Sequence, residues 1–226
     1  MTASPNAAHA GLRPETVAAG ALGYEDAASG AIIPPIHPST TYLRDPDNGY
    51  SRGRGYARSD NPTFDTAAQT LSALEGGADT QLFASGMAAA TAVFQALSPG
   101  DHVVVPEVMY WALRNWLHGF ATHWGLRVQG VDMGDIDALR AAVRPSETKL
   151  VWVETPANPL WTITDLTAAA DIAHKAGARL AVDSTVATPV HSRPLDLGAD
   201  IVMHSASKYL NGHSDVIAGT RTTAHD

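Results

Sequence analysis

The amino-acid sequence predicts an α/β protein with a mainly parallel sheet flanked by helices, preceded by an extended N-terminal arm. From about residue 63 onward, short apolar segments alternate with segments whose apolar residues recur at helical spacing. Parallel strands need crossover connections, which are usually helices, so this alternation favours a sheet covered on both faces. Hydrophobic residues make up 45% of the 226-residue chain, which is sufficient for a core of this kind.

The first 62 residues differ from the rest because they combine many turn formers with little periodic hydrophobicity. Their apolar side chains, such as Ile32, Ile33 and Ile36, would be costly to leave in water. We therefore expect residues 1–62 to form an arm that lies across the main domain or a neighbouring subunit. Residues 63–226 are then expected to form the α/β domain.

The individual elements follow from the same patterns in chain order. Apolar residues from Phe64 to Leu74 recur at helical spacing, and Gly76 and Gly77 end this helix. Apolar runs bounded by turn signals predict strands over residues 81–84, 102–105, 126–131, 149–154, 179–183 and 200–203. The segments between them predict helices over residues 87–97, 110–122, 136–143 and 166–176.

Composition and charge exclude several classes of function. The chain has 15 Lys and Arg against 23 Asp and Glu, a net charge of −8, whereas nucleic-acid binding depends on clustered basic charge. There is no cysteine, which excludes disulfides, thiolate metal sites and a cysteine nucleophile. No apolar run reaches the roughly 18 residues of a membrane span, and the first residues lack the pattern of a signal peptide. We therefore expect a cytoplasmic protein that binds neither nucleic acid nor a membrane.

Two of the predicted strands end at residues suited to binding charged groups. One runs into Ser85, Gly86 and Met87 at the start of a helix, where free backbone N–H groups can hold a phosphate. A later strand ends at Asp183, a carboxylate that burial would leave in need of a cationic or N–H partner. Neither a GxGxxG nor a GxxxxGK[ST] sequence is present, so dinucleotide and P-loop chemistry lack their fingerprints.

Lys208 is the lysine best placed for chemistry. Of the two others in the chain, Lys149 opens a strand and Lys175 lies near a helix end. Lys208 follows a buried strand, and an amine held among apolar groups loses its proton more readily and can form a Schiff base with a carbonyl. A Schiff-base lysine, an acid for a ring nitrogen and donors for a phosphate are together what pyridoxal phosphate needs from a protein.

Four segments carry a resemblance to a known family. In chain order they are residues 56–63 (YARSDNPT), 85–89 (SGMAA), 154–159 (ETPANP) and 207–219 (SKYLNGHSDVIAG). They resemble motifs of the pyridoxal-phosphate-dependent Cys/Met metabolism (transsulfuration) enzymes, and the resemblance extends over about residues 20–220. It implies pyridoxal 5′-phosphate as the cofactor and the large domain of a type I pyridoxal-phosphate transferase as the fold.

The resemblance also implies a role for each residue around the cofactor. Lys208 would attach the cofactor covalently and later move protons between substrate carbons. Asp183 would pair with the pyridine nitrogen and keep the ring an electron sink. The phosphate would be held by Gly86, Met87, Ser205 and Ser207.

Other residues would face the substrate or connect subunits. Tyr110 is similar in position to the aromatic that stacks on the cofactor ring and assists proton transfer, and Asn158 would lie beside the cofactor or the substrate carboxylate. Tyr56 and Arg58 would reach the phosphate of a neighbouring subunit, which would explain the arm. The resemblance therefore implies a homo-oligomer, either a dimer with shared active sites or a tetramer.

The resemblance implies a group of related reactions rather than a single one. The resemblance favours γ-replacement on an acylated homoserine, as in synthases and sulfhydrylases, over lysis of cystathionine at its β or γ position. The family commonly has small residues after its tyrosine, whereas Trp111, Ala112 and Leu113 follow Tyr110 here and put a bulky indole near the substrate entrance. The absence of cysteine disfavours a methionine γ-lyase.

The length of the chain leads to a second hypothesis, which concerns whether the chain is active. Members of the family are nearly twice as long, so we expect the C-terminal domain, with the arginine that holds the substrate carboxylate, to lie beyond Asp226. A truncated chain would bind the cofactor or partner subunits without turnover, since a substrate that is not oriented reacts slowly.

A metal site is the remaining alternative. The chain has 10 histidines, of which His191, His204 and His213 could be combined with Asp183 or Asp215. No HExxH or similar helical spacing occurs, and Asp183 has a better assignment. We therefore expect no metal, and we expect His204 and His213 to be hydrogen-bonded framework near the cofactor.

Overall fold

The structure, a computed structural model, describes residues 11–225. The chain divides into two compact units, the first ending at Leu74 and the second beginning at Glu75. Residues 1–10, the opening of the predicted arm, lie outside the described part of the chain. The division at residue 62 into an arm and an α/β domain stays a prediction.

Within the described residues from 11 onward, the first unit contains two α-helices, a 3-10 helix (Ala21–Gly23) and a long, largely irregular segment between the α-helices. α1 (Pro14–Gly20) precedes this segment and α2 (Pro62–Glu75) follows it, and an isolated bridge joins Thr41 to Tyr56. α2 agrees with the first predicted helix. The sequence pattern does not predict α1, because Val17 is its one buried residue and a single apolar side chain gives no period.

The second unit is built on a seven-stranded sheet. The strands are β1 (Asp79–Phe83), β2 (His102–Pro106), β3 (Arg127–Val131), β4 (Thr148–Glu154), β5 (Arg179–Asp183), β6 (Ile201–His204) and β7 (Gly219–Thr223). Their spatial order is β1-β7-β6-β5-β4-β2-β3. β7 pairs antiparallel with both neighbours, and the pairings among the remaining strands are parallel. The predicted α/β class with a mainly parallel sheet is therefore confirmed.

β7 is the strand that the sequence pattern does not predict. The others lie within two residues of their expected bounds, because each contains at least two apolar side chains. β7 instead buries Thr220 and Thr222, and the hydroxyls of Thr222 and Thr80 are hydrogen-bonded at 2.8 Å. A strand that buries threonines has no hydrophobic signal. It is nevertheless important, because it returns the chain from the loop of Lys208 to a position between β1 and β6.

Helices cover both faces of the sheet. They are α3 (Gly86–Gln95), α4 (Trp111–Trp116), α5 (Thr122–Trp124), α6 (Ile136–Ala142), α7 (Leu166–Lys175) and α8 (Thr188–His191). A π-helical stretch, Leu117–Ala121, joins α4 to α5 and interrupts the helix predicted over residues 110–122. No helix within residues 11–225 is long and apolar enough to cross a membrane. The cytoplasmic location stays a prediction.

Two buried clusters, one on each face, explain why the central strands are apolar throughout. On β4, Val151 and Val153 pack in the cluster that includes α6 and α7. Leu150 and Trp152 pack in the cluster that includes α3 and α4. Successive strand residues point to opposite faces, so a strand covered on both sides needs apolar residues at every position. This packing holds the carboxyl ends of the parallel strands along one edge of the sheet.

Candidate active site

One cavity lies where the carboxyl ends of the parallel strands meet, and its volume is about 980 Å³. It is lined by the predicted site residues of the second unit, namely Gly86, Met87, Tyr110, Asn158, Asp183, Ser205, Ser207 and Lys208. Open α/β sheets bind ligands at this edge. The fold therefore brings these residues together, although they are far apart in the sequence.

The start of α3 forms one wall of the cavity. Ser85 caps the helix, and its hydroxyl accepts a hydrogen bond from the Ala88 N–H at 3.1 Å. A Cβ on Gly86 would come within 2.6 Å of the Ser205 side chain, and a Cβ on Gly219 would overlap the Ser85 carbonyl. Glycine at both positions therefore allows close approach of this helix start to its neighbours. The first N–H groups of a helix lack partners within it and are available to an anion.

The two predicted phosphate-binding serines differ in their existing hydrogen bonds. Ser205 donates its backbone N–H to the Thr185 hydroxyl at 2.8 Å, and its own hydroxyl has no partner within residues 11–225. The Ser207 hydroxyl donates to the Ala218 carbonyl at 3.1 Å and accepts the Ala218 N–H at 2.9 Å. The Ser205 hydroxyl is therefore free to donate to a phosphate, whereas the Ser207 hydroxyl connects the lysine loop to the start of β7.

Asp183 is a buried carboxylate at the end of β5. Its Oδ1 accepts hydrogen bonds from the Thr185 N–H at 3.0 Å and from the Thr185 hydroxyl at 2.5 Å. Its Oδ2 makes no hydrogen bond to the described residues. Burial raises the pKa of Asp183 above its usual value, because desolvation disfavours the charged form. A cation placed beside Oδ2 would offset this cost.

Glu154 is a second buried carboxylate in the cavity, and sequence reasoning assigns it no role. Its Oε2 accepts the Tyr110 N–H at 2.7 Å, and its Oε1 accepts the Asn158 N–H at 3.0 Å. Burial and, in second place, the charge of Asp183 raise the pKa of Glu154 to about 7. In the sequence, the one indication that Glu154 belongs to the site is its position as the first residue of the ETPANP motif. Its contacts with both Tyr110 and Asn158 become visible only in the fold.

Lys208 lies in the loop between β6 and β7, and its side chain is exposed in the cavity. The Lys208 N–H donates to the Ser205 carbonyl at 3.0 Å, and its carbonyl accepts the Gly212 N–H at 2.8 Å. Nζ forms no hydrogen bond or ion pair with the part of the chain that the structure describes. This differs from the expected amine held among apolar groups, because the side chain points into open space where a ligand can reach it.

Tyr56 and Arg58 belong to the first unit. Both are exposed, and the Arg58 guanidinium lies over the Tyr56 ring, 5.0 Å from its centroid. Their role at the phosphate of a neighbouring subunit stays a prediction.

Two histidines near the lysine loop are hydrogen-bonded, as predicted. His204 Nε2 is bonded to Glu75 Oε1, and both side chains are only 1% exposed. His213 Nδ1 contacts the Asn211 carbonyl oxygen at 2.9 Å. Among residues 11–225, no group of three or more His, Cys, Asp or Glu side chains could hold a metal ion.

The chain is similar to one family of known proteins over nearly all of its sequence. The model of the Cys/Met metabolism PLP-dependent enzyme family matches residues 15–226. Cystathionine gamma-synthase of Mycobacterium bovis is 42% identical over 218 residues, which are 96% of this chain and 53% of that protein. Cystathionine gamma-lyase of Bacillus subtilis is 44% identical over 199 residues, which are 88% of this chain and 52% of that protein. The chain thus spans about half the length of the curated relatives it matches.

Solved structures of similar proteins share the fold. The crystal structure of metB from Corynebacterium glutamicum has a TM-score of 0.88 at 39% identity, covering 95% of this chain and 57% of that chain. Cystathionine gamma-lyase from Lactobacillus plantarum, complexed with L-serine, has a TM-score of 0.88 at 38% identity, covering 94% of this chain and 55% of that chain. The expected fold, the large domain of a pyridoxal-phosphate enzyme of this type, is therefore confirmed.

Proposed function

Because the chain belongs to the Cys/Met metabolism family of pyridoxal-phosphate-dependent enzymes, we propose that it binds pyridoxal phosphate in this cavity and acts on a sulfur amino acid or an acylated homoserine. One observation carries the proposal. A helix start suited to an anion, an under-paired buried carboxylate and an accessible lysine converge on a single cavity. These are the three groups that bind the phosphate, the ring nitrogen and the aldehyde of this cofactor.

The residues present fit the cofactor. The N–H groups of Gly86 and Met87 and the hydroxyl of Ser205 would hold the phosphate, and the close approach of Gly86 to Ser205 brings these donors near one another. Asp183 Oδ2 would accept the hydrogen of the ring nitrogen, and Lys208 would attach the aldehyde. When bound, pyridoxal phosphate supplies an electron sink that stabilises negative charge on a substrate carbon.

Side chains of the cavity would supply the proton transfers. The Lys208 amine is accessible, so it can take the proton of the substrate α-carbon and return it to a neighbouring carbon. The Tyr110 side chain lines the same space, and its phenol can assist this transfer. The Asn158 amide can donate hydrogen bonds to the substrate carboxylate. We therefore assign Lys208 and Tyr110 to proton transfer and Asn158 to substrate binding.

γ-Replacement is the reaction class we favour. The similarity to cystathionine gamma-synthases supports replacement, in which a thiol adds after the γ-substituent departs. The comparable similarity to cystathionine gamma-lyases supports the alternative, in which no thiol adds and the chain lyses cystathionine. Product analysis separates the two: an acylated homoserine with a thiol gives a thioether only in a replacement enzyme, whereas cystathionine alone releases a thiol only in a lyase.

We further infer a homo-oligomer with shared active sites. Tyr56 and Arg58 are exposed, and a guanidinium is well suited to bind the phosphate of a bound cofactor in a neighbouring copy. Residues 1–62 would then act as the connecting arm. Mixing Arg58→Ala with Lys208→Ala chains tests this, because a mixed dimer regains one complete site and each variant alone has none.

Reductive trapping tests the cofactor site. The full 226-residue chain is incubated with pyridoxal phosphate, reduced with borohydride and digested, and the labelled peptide is identified by mass spectrometry. We expect label at Lys208 in the wild type and none there in Lys208→Ala. Lys175→Ala, which removes an exposed lysine paired with Asp171, is the matched control and should be labelled like the wild type. Label spread evenly over surface lysines, or no label in a folded chain, would contradict the proposal.

A further inference from the structure

Glu154 joins two segments that carry predicted site residues. It is the last residue of β4 and is 6% exposed. Tyr110 follows β2, which pairs with β4, and Asn158 lies in the segment after β4. One carboxylate accepts a backbone N–H from each of them, at 2.7 Å and 3.0 Å. The positions of both residues relative to the sheet therefore depend on this side chain.

The ionised carboxylate holds both segments best. It accepts hydrogen bonds well at both oxygens, whereas an amide presents one acceptor and one donor, and the hydroxyl of a protonated carboxyl group is a donor whose oxygen accepts only weakly. A donor that faces a backbone N–H forms no hydrogen bond, so loss of the charge releases one of the two segments. Hydrogen bonds to the ionised form are also roughly twice as strong as neutral ones.

We propose that Glu154 is a positioning residue whose ionised carboxylate holds Tyr110 and Asn158 together in the arrangement that binds substrate, and whose protonation releases one of them. We name this arrangement of Glu154, Tyr110 and Asn158 the Glu154 clamp. The consequence for substrate rests on the proposed function. The clamp itself is a property of this chain, and it can be measured without turnover.

The charges around the clamp couple it to the cofactor end of the cavity. Asp183 is paired with Glu154 across the neighbouring strands β5 and β4, and the other titratable groups lining the cavity are Tyr110, Lys208 and Tyr209. Burial and then Asp183 raise the pKa of Glu154 to about 7. A cation beside Asp183 would offset the repulsion between the two carboxylates. A cofactor whose ring nitrogen is protonated there would therefore favour the ionised clamp.

Backbone NMR of the full chain tests the clamp directly. The amide proton signals of Tyr110 and Asn158 are followed through a pH titration, with and without pyridoxal phosphate. We expect both signals to lie downfield at high pH, where a charged acceptor strengthens the hydrogen bonds. On acidification both should move with one common midpoint near pH 7 in the cofactor-free chain, and at lower pH in the loaded chain.

Matched substitutions assign the titration to Glu154. In Glu154→Gln neither amide should titrate, and at most one should remain downfield. Glu107→Gln makes the same chemical change at an exposed glutamate and should titrate like the wild type. Asp183→Asn should move the midpoint of the cofactor-free chain to lower pH, because it removes the neighbouring charge.

The loaded enzyme provides a second readout. Glu154→Gln should raise the KM of the amino-acid substrate about tenfold, as expected for the loss of one hydrogen bond to a charged group. The proposal is overturned if the two amides do not titrate in the wild type, or if they still titrate in Glu154→Gln. Normal amide titration in a chain that turns over no substrate would support the clamp and overturn the proposed action on an amino-acid substrate.

Discussion

Asp183 and Asp200 lie at opposite ends of the paired strands β5 and β6, the first ending β5 and the second directly preceding β6. Asp200 accepts hydrogen bonds from the Leu180 N–H at 2.8 Å, from His174 at 2.9 Å and from Arg179 at 2.6 Å. Burial alone would raise the pKa of Asp200, but these three partners bring it below its usual value. The pKa of Asp183, which is bonded by a single neighbouring residue in the described chain, is instead raised by burial.

The difference distinguishes a carboxylate that stabilises the fold from one that is available to a ligand. A buried charge with a full set of partners costs little, whereas an under-paired one is unfavourable until a cation arrives. Perturbed pKa values of this kind are concentrated at functional sites. Glu154, at the same edge as Asp183, also has a raised pKa. The under-paired carboxylates at the carboxyl edge of the sheet therefore make the chain less stable when no ligand is bound.

Asp183→Asn is expected to have the largest effect, because it removes the charge and keeps the size. The affinity for pyridoxal phosphate should fall by about 2–5 kcal/mol, which is the cost of removing one member of a buried charge pair. The cofactor-free chain should at the same time become more stable near pH 8, since an under-paired buried charge is gone. Cofactor titration and urea unfolding measure the two effects. A loss of both affinity and stability would contradict the comparison.

The pH dependence of stability sharpens the comparison, because carboxylates at the two edges contribute with opposite signs. Glu154 has a pKa of about 7 in the fold against a usual value of 4.5, so the folded chain retains this proton between these values. The free energy of unfolding should therefore fall as pH rises through this window, by about 3 kcal/mol in total. Asp200 has a lowered pKa, so its contribution is present above its usual value of 3.8 and is lost as pH falls below it.

Urea unfolding of the wild type and Glu154→Gln over a pH series isolates the contribution of Glu154. The wild-type free energy minus that of the variant should decrease between pH 4.5 and about pH 7 and stay constant above, because the other titrating groups are shared. A difference that does not change with pH would mean that Glu154 is ionised in the fold with its usual pKa.

Asp200→Ala tests the carboxylate to which the comparison assigns a role in stability. The Leu180 N–H loses its acceptor, and the side chains of His174 and Arg179 lose their partner, so stability should fall by about 1–3 kcal/mol. Cofactor affinity should not change, because the proposed cofactor site lies at the other edge. Asp196→Ala is the matched control: its exposed pair with Arg193 should contribute less than about 0.5 kcal/mol. If Asp200→Ala weakens cofactor binding as much as Asp183→Asn does, the two edges are not separate in function.

Sequence reasoning groups the candidate site residues where a residue's position follows from the element that precedes it. Apolar runs indicate β1, β5 and β6, and the residues that follow parallel strands gather at one edge. Gly86, Asp183 and Lys208 could be grouped on this basis, and the fold brings them into one cavity. Because parallel strands end at the same edge of the sheet, the residues that follow them come close together even when they are far apart in the chain.

Roles that depend on a contact between distant segments could not be predicted. The importance of Glu154 follows from the backbone of Tyr110, which periodicity does not reveal. The hydroxyl of Ser207 is bonded to Ala218 because β7 returns beside β6, and β7 itself has no apolar run. Hydrogen bonds of this kind are fixed by tertiary structure, and residue type alone does not indicate the partner.

Thr185→Val has the smallest expected effect, and it tests how Asp183 is held at the functional edge. The Thr185 hydroxyl donates to Asp183 Oδ1 at 2.5 Å and accepts the Ser205 N–H at 2.8 Å, so it links the carboxylate to Ser205, on the side of the cavity where we propose that the phosphate binds. Valine keeps the shape but leaves the Ser205 N–H unpaired, which should cost about 1 kcal/mol of stability and of cofactor binding. Thr185→Ser keeps the hydroxyl and should bind like the wild type. Equal cofactor affinity in the valine and serine variants would mean that β5 alone orients Asp183, and that its under-paired state does not depend on this hydrogen bond.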